Sequence, residues 1–130
     1  MYALDTNTLI YFFKGMGNVS DRLLREPPQK IGISSIVLFE LEVGIAKSRS
    51  PKKRTQQLKE LASIVSVIPF GSNEARTSAL IRAKLESKGL PIGPYDVLIA
   101  GTAIAHNATL VTHNTREFSR IKALTIEDWY

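Results

Sequence analysis

The run Val97–His106 (VLIAGTAIAH) is apolar on nearly all sides and is long enough to be a helix. A helix with no polar face has to be covered all round, so it lies in the middle of the fold. Its small residues Ala100, Gly101, Ala103 and Ala105 let a neighbouring backbone approach closely. Pro91, Gly93 and Pro94 turn the chain just ahead of it. Asp96 then stands at the helix mouth, where the positive end of the dipole favours an anion.

Strand-like apolar runs alternate with helical ones around this element. Tyr2–Leu4, Lys30–Ser34 (KIGIS), Ile64–Pro69 (IVSVIP), Ala108–Thr112 (ATLVT) and Leu124–Ile126 read as strands. Thr6, Asn7 and Thr8 start a first helix, since their side-chain oxygens can take up free N–H groups. A second, Val19 to Glu26, points Leu23 and Leu24 inward and ends at Pro27 and Pro28. Ser34 or Ser35 opens the strongly apolar SSIVLFELEVGIAKS, and Ser50 and Pro51 open a helix to about Val65. The helix from Ser72 directs Ala75, Ala79, Leu80, Ala83 and Leu85 inward, with Arg76, Arg82, Lys84 and Lys88 outward. It ends at Gly89 in a C-cap role. A short REFSR helix follows the fourth strand, and Trp129 closes the chain as a lid.

Such alternation means an α/β fold with three α/β/α layers, a mostly parallel central sheet of four to five strands and helices on both faces. The chain has 130 residues, enough for one core and short for two, so residues 1–130 read as a single domain. No run approaches the ~20 apolar residues that span a bilayer. A chain opening on a strand leaves no room for a secretory leader, which points to a cytoplasmic protein with no membrane partner. Cysteine is absent, which removes disulfides and thiolate metal sites and fits a reducing compartment. The net charge of +5 mildly favours a polyanionic partner. The basic cluster Lys47, Arg49, Lys52, Lys53 and Arg54 is better read as a solvated helix end than as a phosphate site.

Three distant acids each lie beside a buried element. Asp5 follows the first strand immediately before a helix, at the edge where α/β sheets collect ligands. Glu40 is enclosed by Leu38, Phe39 and Leu41 in an apolar helix, where an unpaired carboxylate is hard to bury. Asp96 is the third. Each also has a plain alternative: Asp5 and Asp96 as helix caps, Glu40 reaching the surface at a rim. Oxygen ligands with no Cys suit Mg²⁺ or Mn²⁺ rather than zinc. A divalent ion held by such acids activates water, orients a phosphodiester and neutralises the leaving oxygen.

LDTN at Leu4–Asn7, SSIVLFELEVG at Ser34–Gly44, PIGPYDVLIAGTA at Pro91–Ala103 and LVTHNTREFSRI at Leu110–Ile121, closing in IEDW, resemble the PIN-domain ribonucleases. Among these the chain is most similar to the VapC toxins of bacterial toxin–antitoxin pairs. The resemblance covers essentially the whole chain. It implies a Mg²⁺- or Mn²⁺-dependent endoribonuclease, with Asp5, Glu40 and Asp96 as catalytic and metal-site acids. It also implies cleavage of structured RNA (a tRNA being one candidate), a homodimer, and inhibition by a VapB-type antitoxin in a hetero-oligomer. Many PIN domains have a fourth acid where Asn114 stands here, and an Asn offers oxygen without charge, which weakens the case for a second tightly held ion. Glu117 either compensates or caps its own helix through the Asn114–Glu117 capping-box spacing. Thr6 and Thr112 are candidates to hydrogen-bond either the acids or a metal-bound water.

Three other readings compete. His106 and His113 could act as acid and base without metal, although His106 suits a helix C-terminus better. A PIN fold that binds RNA or protein without cutting is the second. An Asp5 that accepts phosphate, as in receiver-type switches, is the third, and no suitably placed lysine follows the fourth strand.

Overall fold

The structure, a computed structural model, describes residues 1–130. Five strands form one sheet in the order β3-β2-β1-β4-β5, and every neighbouring pair is parallel. They are β1 (Tyr2–Leu4), β2 (Ile31–Ser34), β3 (Ser66–Ile68), β4 (Thr109–Val111) and β5 (Ile126–Glu127). Seven α-helices connect them: α1 (Thr6–Lys14), α2 (Val19–Arg25), α3 (Ser35–Ala46), α4 (Pro51–Ala62), α5 (Ser72–Ser87), α6 (Pro94–Ala105) and α7 (Thr115–Phe118). The chain builds outward from β1 through β2 to β3, then crosses back to lay β4 on the other side of β1. Right-handed crossovers run in two directions this way, so helices cover both faces. The reversal also opens a crevice between the carboxyl ends of β1 and β4. The α/β/α architecture expected from the sequence is the one observed.

The register Leu4↔Val111 and Val111↔Glu127 aligns those carboxyl ends, so the residues just beyond them share one edge. Leu4, Leu9, Ile33, Val37, Leu110 and Val111 are almost wholly buried in one contiguous apolar cluster. Trp129 behaves as the expected lid. It is buried, meets Tyr2 edge-on at 5.1 Å, and carries the Arg22 guanidinium 5.3 Å above its ring. Gly89 takes φ +67° just past α5, the left-handed conformation its C-cap role needs.

Helix α6 is buried through Val97, Ile99, Ala100, Gly101, Thr102 and Ala103, as its composition demands. Its neighbour α5 departs from expectation. Of the five residues assigned inward only Leu85 is buried; Ala75, Ala79, Leu80 and Ala83 are exposed, Leu80 at 68%. The buried stripe is instead Glu74, Ser78 and Leu85. The reason is α6: a Cβ on Gly101 would come within 2.8 Å of Ser78 Cα, so the two backbones nearly touch and a small serine faces the seam. In α2 the buried residues are Val19 and Leu23, whereas Leu24 is 77% exposed. Seven residues make two turns, and only one stripe meets the core.

Strand β3 is shorter than the apolar run that carries it. As an edge strand it leaves Ser66 and Val67 exposed and buries Ile68. The last strand falls at Ile126–Glu127 rather than Leu124–Ile126, although Leu124 is buried beside it.

Candidate active site

Asp5 is the first residue past β1 and the N-cap of α1, and its Oδ1 accepts the Thr8 N–H at 2.9 Å. Its own N–H donates to the Val111 carbonyl at 3.1 Å, which extends the β1–β4 ladder to the crevice. The cap thus holds Asp5 at the carboxyl edge of β1, beside β4. Burial pushes its carboxyl above the usual aspartate range. Hydrogen bonding by Thr112 and Thr8 works against that shift, and the charge of Asp128 adds to it. Thr112, fully buried just past the end of β4, lies beside this acid.

Glu40, half-buried on α3, accepts the Thr6 hydroxyl at 2.7 Å through Oε1. Asp96, in the first turn of α6, is half-buried and pushed up to about 6, first by burial and then by the charges of Glu117, Glu40 and Asp5. Its carboxylate lies over Gly93, where a Cβ would meet Oδ2 at 2.9 Å, so a larger residue there would displace it. The three acids named from the sequence thus share one electrostatic neighbourhood, with Glu117 as a fourth.

Glu117 and Asn114 do not form the expected capping box. Asn114 makes no side-chain cap; its Nδ2 donates to Glu117 Oε2 at 2.9 Å. Glu117 Oε1 instead accepts the Gly93 N–H at 3.2 Å, at the mouth of α6. The cause is local. Helix α7 is one four-residue turn, and Thr112 Oγ1 already accepts the Asn114 N–H at 3.0 Å. The hydrogen bond from Asn114, chiefly, holds Glu117 below the usual glutamate range.

None of Asp5, Glu40, Asp96 and Glu117 takes part in an ion pair, and only Glu117 is helped by a nearby cation, Arg120. As the side chains lie, no three acidic or imidazole groups surround one point closely enough to enclose an ion. Mutual influence on Asp96 and the lack of a finished cage describe the same arrangement. Like charges face one another, and separate donors tie Asp5 to Thr8 and Glu40 to Thr6. An all-oxygen set of carboxylates held in no ion pair, with no thiolate or imidazole, is chemically suited to a hard divalent cation.

Asp128 was not singled out from the sequence, though it follows β5 much as Asp5 follows β1. The two histidines lie at opposite edges of the sheet, before and after β4. His106 Nε2 is 3.1 Å from Glu74, while His113 Nδ1 lies 3.0 Å from Asp128. They cannot serve one phosphate as an acid–base pair. A cavity of about 260 Å³ between α1, α3 and α4 runs up to Glu40, lined by Ile10, Phe13, Leu41 and Leu58 with Lys14 and Arg54.

The PIN domain family matches residues 2–124. The chain belongs to that family. This PIN domain is 38% identical to the tRNA(fMet)-specific endonuclease VapC of Salmonella typhimurium, over 98% of its own length and 97% of that protein. It is 41% identical to ribonuclease VapC2 of Rickettsia felis, with 99% and 98% of the two chains covered. Among solved structures it superposes on a chain of VapBC2 from Rickettsia felis bound to a promoter DNA fragment, with a TM-score of 0.92. Identity there is 40%, over 99% and 98% of the two chains.

Proposed function

We propose that this PIN domain is a divalent-metal-dependent endoribonuclease, the toxin of a type II toxin–antitoxin pair, neutralised by a VapB-type antitoxin. One observation carries the reading. Asp96 at the mouth of α6 feels the charges of Asp5, Glu40 and Glu117, and none of the four acids is closed into an ion pair. Asp5, Glu40 and Asp96 are the residues to hold Mg²⁺ or Mn²⁺, with Glu117 and the Asn114 oxygen supporting. Such an ion supplies activation of water and neutralisation of the leaving oxygen.

The chain's own residues set the stage for that chemistry. Thr6 fixes Glu40, while the Thr8 N–H orients Asp5. Glu117 holds the Gly93 turn and with it the start of α6. Water attack on the phosphodiester leaves a 5′-phosphate. The substrate is a structured RNA; the activity named for the Salmonella relative makes a tRNA the first to try.

The apolar cavity leading to Glu40, with Lys14 and Arg54 at its walls, supports an antitoxin segment running into the site. Exposed Phe39, Val43 and Tyr95 support a homodimer, Phe39 and Tyr95 standing with ring centroids 5.6 Å apart. No helix is long and apolar enough to cross a membrane, and the cytoplasm is the proposed compartment.

Incubation with total RNA in Mg²⁺, Mn²⁺ or EDTA, followed by mapping of the cleaved ends, tests the reading. Cuts bearing 5′-phosphate that vanish in EDTA are the expected result. Cuts persisting in EDTA with cyclic phosphate ends would overturn it. RNA binding with no cleavage in Mn²⁺ would leave the non-cutting module instead.

A further inference from the structure

Beside the acidic cup, three aromatic rings gather on the surface. The His113 ring stacks on Tyr130 with centroids 4.3 Å apart and planes at 22°. Tyr11 meets both edge-on, at 5.9 Å from His113 and 4.9 Å from Tyr130. Gly17 also lies against Tyr130: at φ +63°, a Cβ there would meet the Tyr130 ring at 2.9 Å. The His113 side chain is 46% exposed and Tyr130 is 40% exposed.

Anchoring the chain end does not require His113. Tyr130 O already accepts the Asn18 N–H at 2.7 Å and Asn18 Nδ2 at 3.1 Å, and Trp129 is buried. What His113 adds is an open π-face of fixed orientation. Asp128 fixes it, with both carboxylate oxygens 3.0 and 3.2 Å from Nδ1, and Asp128 is fixed in turn by the Tyr130 N–H at 2.9 Å. The platform is one residue past Thr112, which is buried beside Asp5.

We propose that the outer face of His113 is a stacking subsite for an unpaired nucleobase of the RNA, next to the phosphate that is cut. Proteins read single-stranded RNA by splaying bases onto aromatic and histidine rings, which tolerates any base because each has a π-face. A ring already held by Asp128 and Tyr130 loses little further freedom on binding. This inference rests on the ribonuclease reading above.

The test uses the hairpin RNA spanning the mapped cut, with 2-aminopurine placed in turn on either side of it. His113→Ala should raise KM about tenfold with kcat within about twofold, in keeping with the energy of one base–aromatic stack. His113→Phe should restore most of the lost affinity. In an Asp96→Asn background, which removes an anion from the path of the phosphate, one 2-aminopurine position should be quenched. That quench should persist with His113→Phe and vanish with His113→Ala. Unchanged KM and quenching in His113→Ala would overturn the proposal. So would a His113→Phe enzyme as impaired as His113→Ala with the loss in kcat, since the imidazole would then be handling a proton. Absence of any mapped cut would instead defeat the ribonuclease reading, so the two failures are distinct.

Discussion

The Thr6 hydroxyl donates to Glu40 Oε1 at 2.7 Å, across 34 positions of sequence. It ties the first turn of α1 to the middle of α3 and aims a half-buried carboxylate at the crevice. Thr6→Val keeps the shape and removes the donor, leaving Glu40 without its partner. Stability should fall by about 1 kcal/mol: a hydrogen bond to a charged group contributes roughly 1.5–3 kcal/mol, and water partly replaces it at half-buried Glu40. Mn²⁺ affinity, read by calorimetric titration, should fall with it, and Thr6→Ser should restore both. Wild-type affinity in Thr6→Val would remove Thr6 from the site.

Asp96 gives the apo protein an unusual pH response. Its folded pKa of about 6 lies above the ~3.9 of an unfolded aspartate. The folded state therefore binds more protons than the unfolded state between about pH 4 and 6, and stability falls as pH rises through that window. The carboxyl is only half-buried and water screens it, so the loss should be about 1 kcal/mol, or ~3 °C in Tm. Melting at pH 5 and pH 7.5 in EDTA checks this. Asp96→Asn should flatten the difference, and Mg²⁺ should offset it by binding the ionised form.

Asp5→Asn should abolish cleavage while the protein stays folded. Asparagine is as good an N-cap as aspartate, and it lifts the burial penalty that raises the Asp5 pKa. Thermal stability in EDTA should hold or rise. Glu117→Gln should lose less activity, because an amide oxygen can still accept the Gly93 N–H. An equal loss in rate assays of the two variants would promote Glu117 to a direct ligand.

Much of this was legible in the sequence because the signals were local. Asp5 follows a strand and precedes helix-starting residues, and Asp96 follows the turn at Pro91, Gly93 and Pro94 into an apolar helix. Both positions fall out of chain order alone. Thr6 and Thr112 were legible as neighbours of the acids. What stayed hidden depended on partners distant in sequence. Ser78 is buried and Leu80 exposed only because α6 presents Gly101 to α5. Alanines at 75, 79 and 83 carry no strong preference, so they could not report which face turned inward. Glu117 reaches Gly93, 24 positions away, once Thr112 has taken the Asn114 N–H, and neither that hydrogen bond nor the distant Gly93 donor can be seen in the Asn114–Glu117 spacing. Asp128 was overlooked because the last strand is two residues long and gives a weak periodic signal.

The seam between α5 and α6 supplies a final test, because it positions Asp96. A methyl on Gly101 would run into Ser78 Oγ and Cβ and come within 2.8 Å of the Ser78 Cα. The hydroxyl can rotate away, but the backbone cannot, so Gly101→Ala must push the helices apart. Overpacking of this kind costs about 1–3 kcal/mol, readable as a shift in the urea midpoint. Ser78 gives the opposite result. Its buried Oγ has no hydrogen-bond partner, so Ser78→Ala removes a desolvated polar atom and should be neutral or stabilising. Moving α6 also moves Asp96 relative to Asp5 and Glu40. Gly101→Ala should therefore weaken Mn²⁺ binding, whereas Ser78→Ala should leave it unchanged. If Gly101→Ala loses stability yet keeps full metal affinity, the seam does not set the position of Asp96.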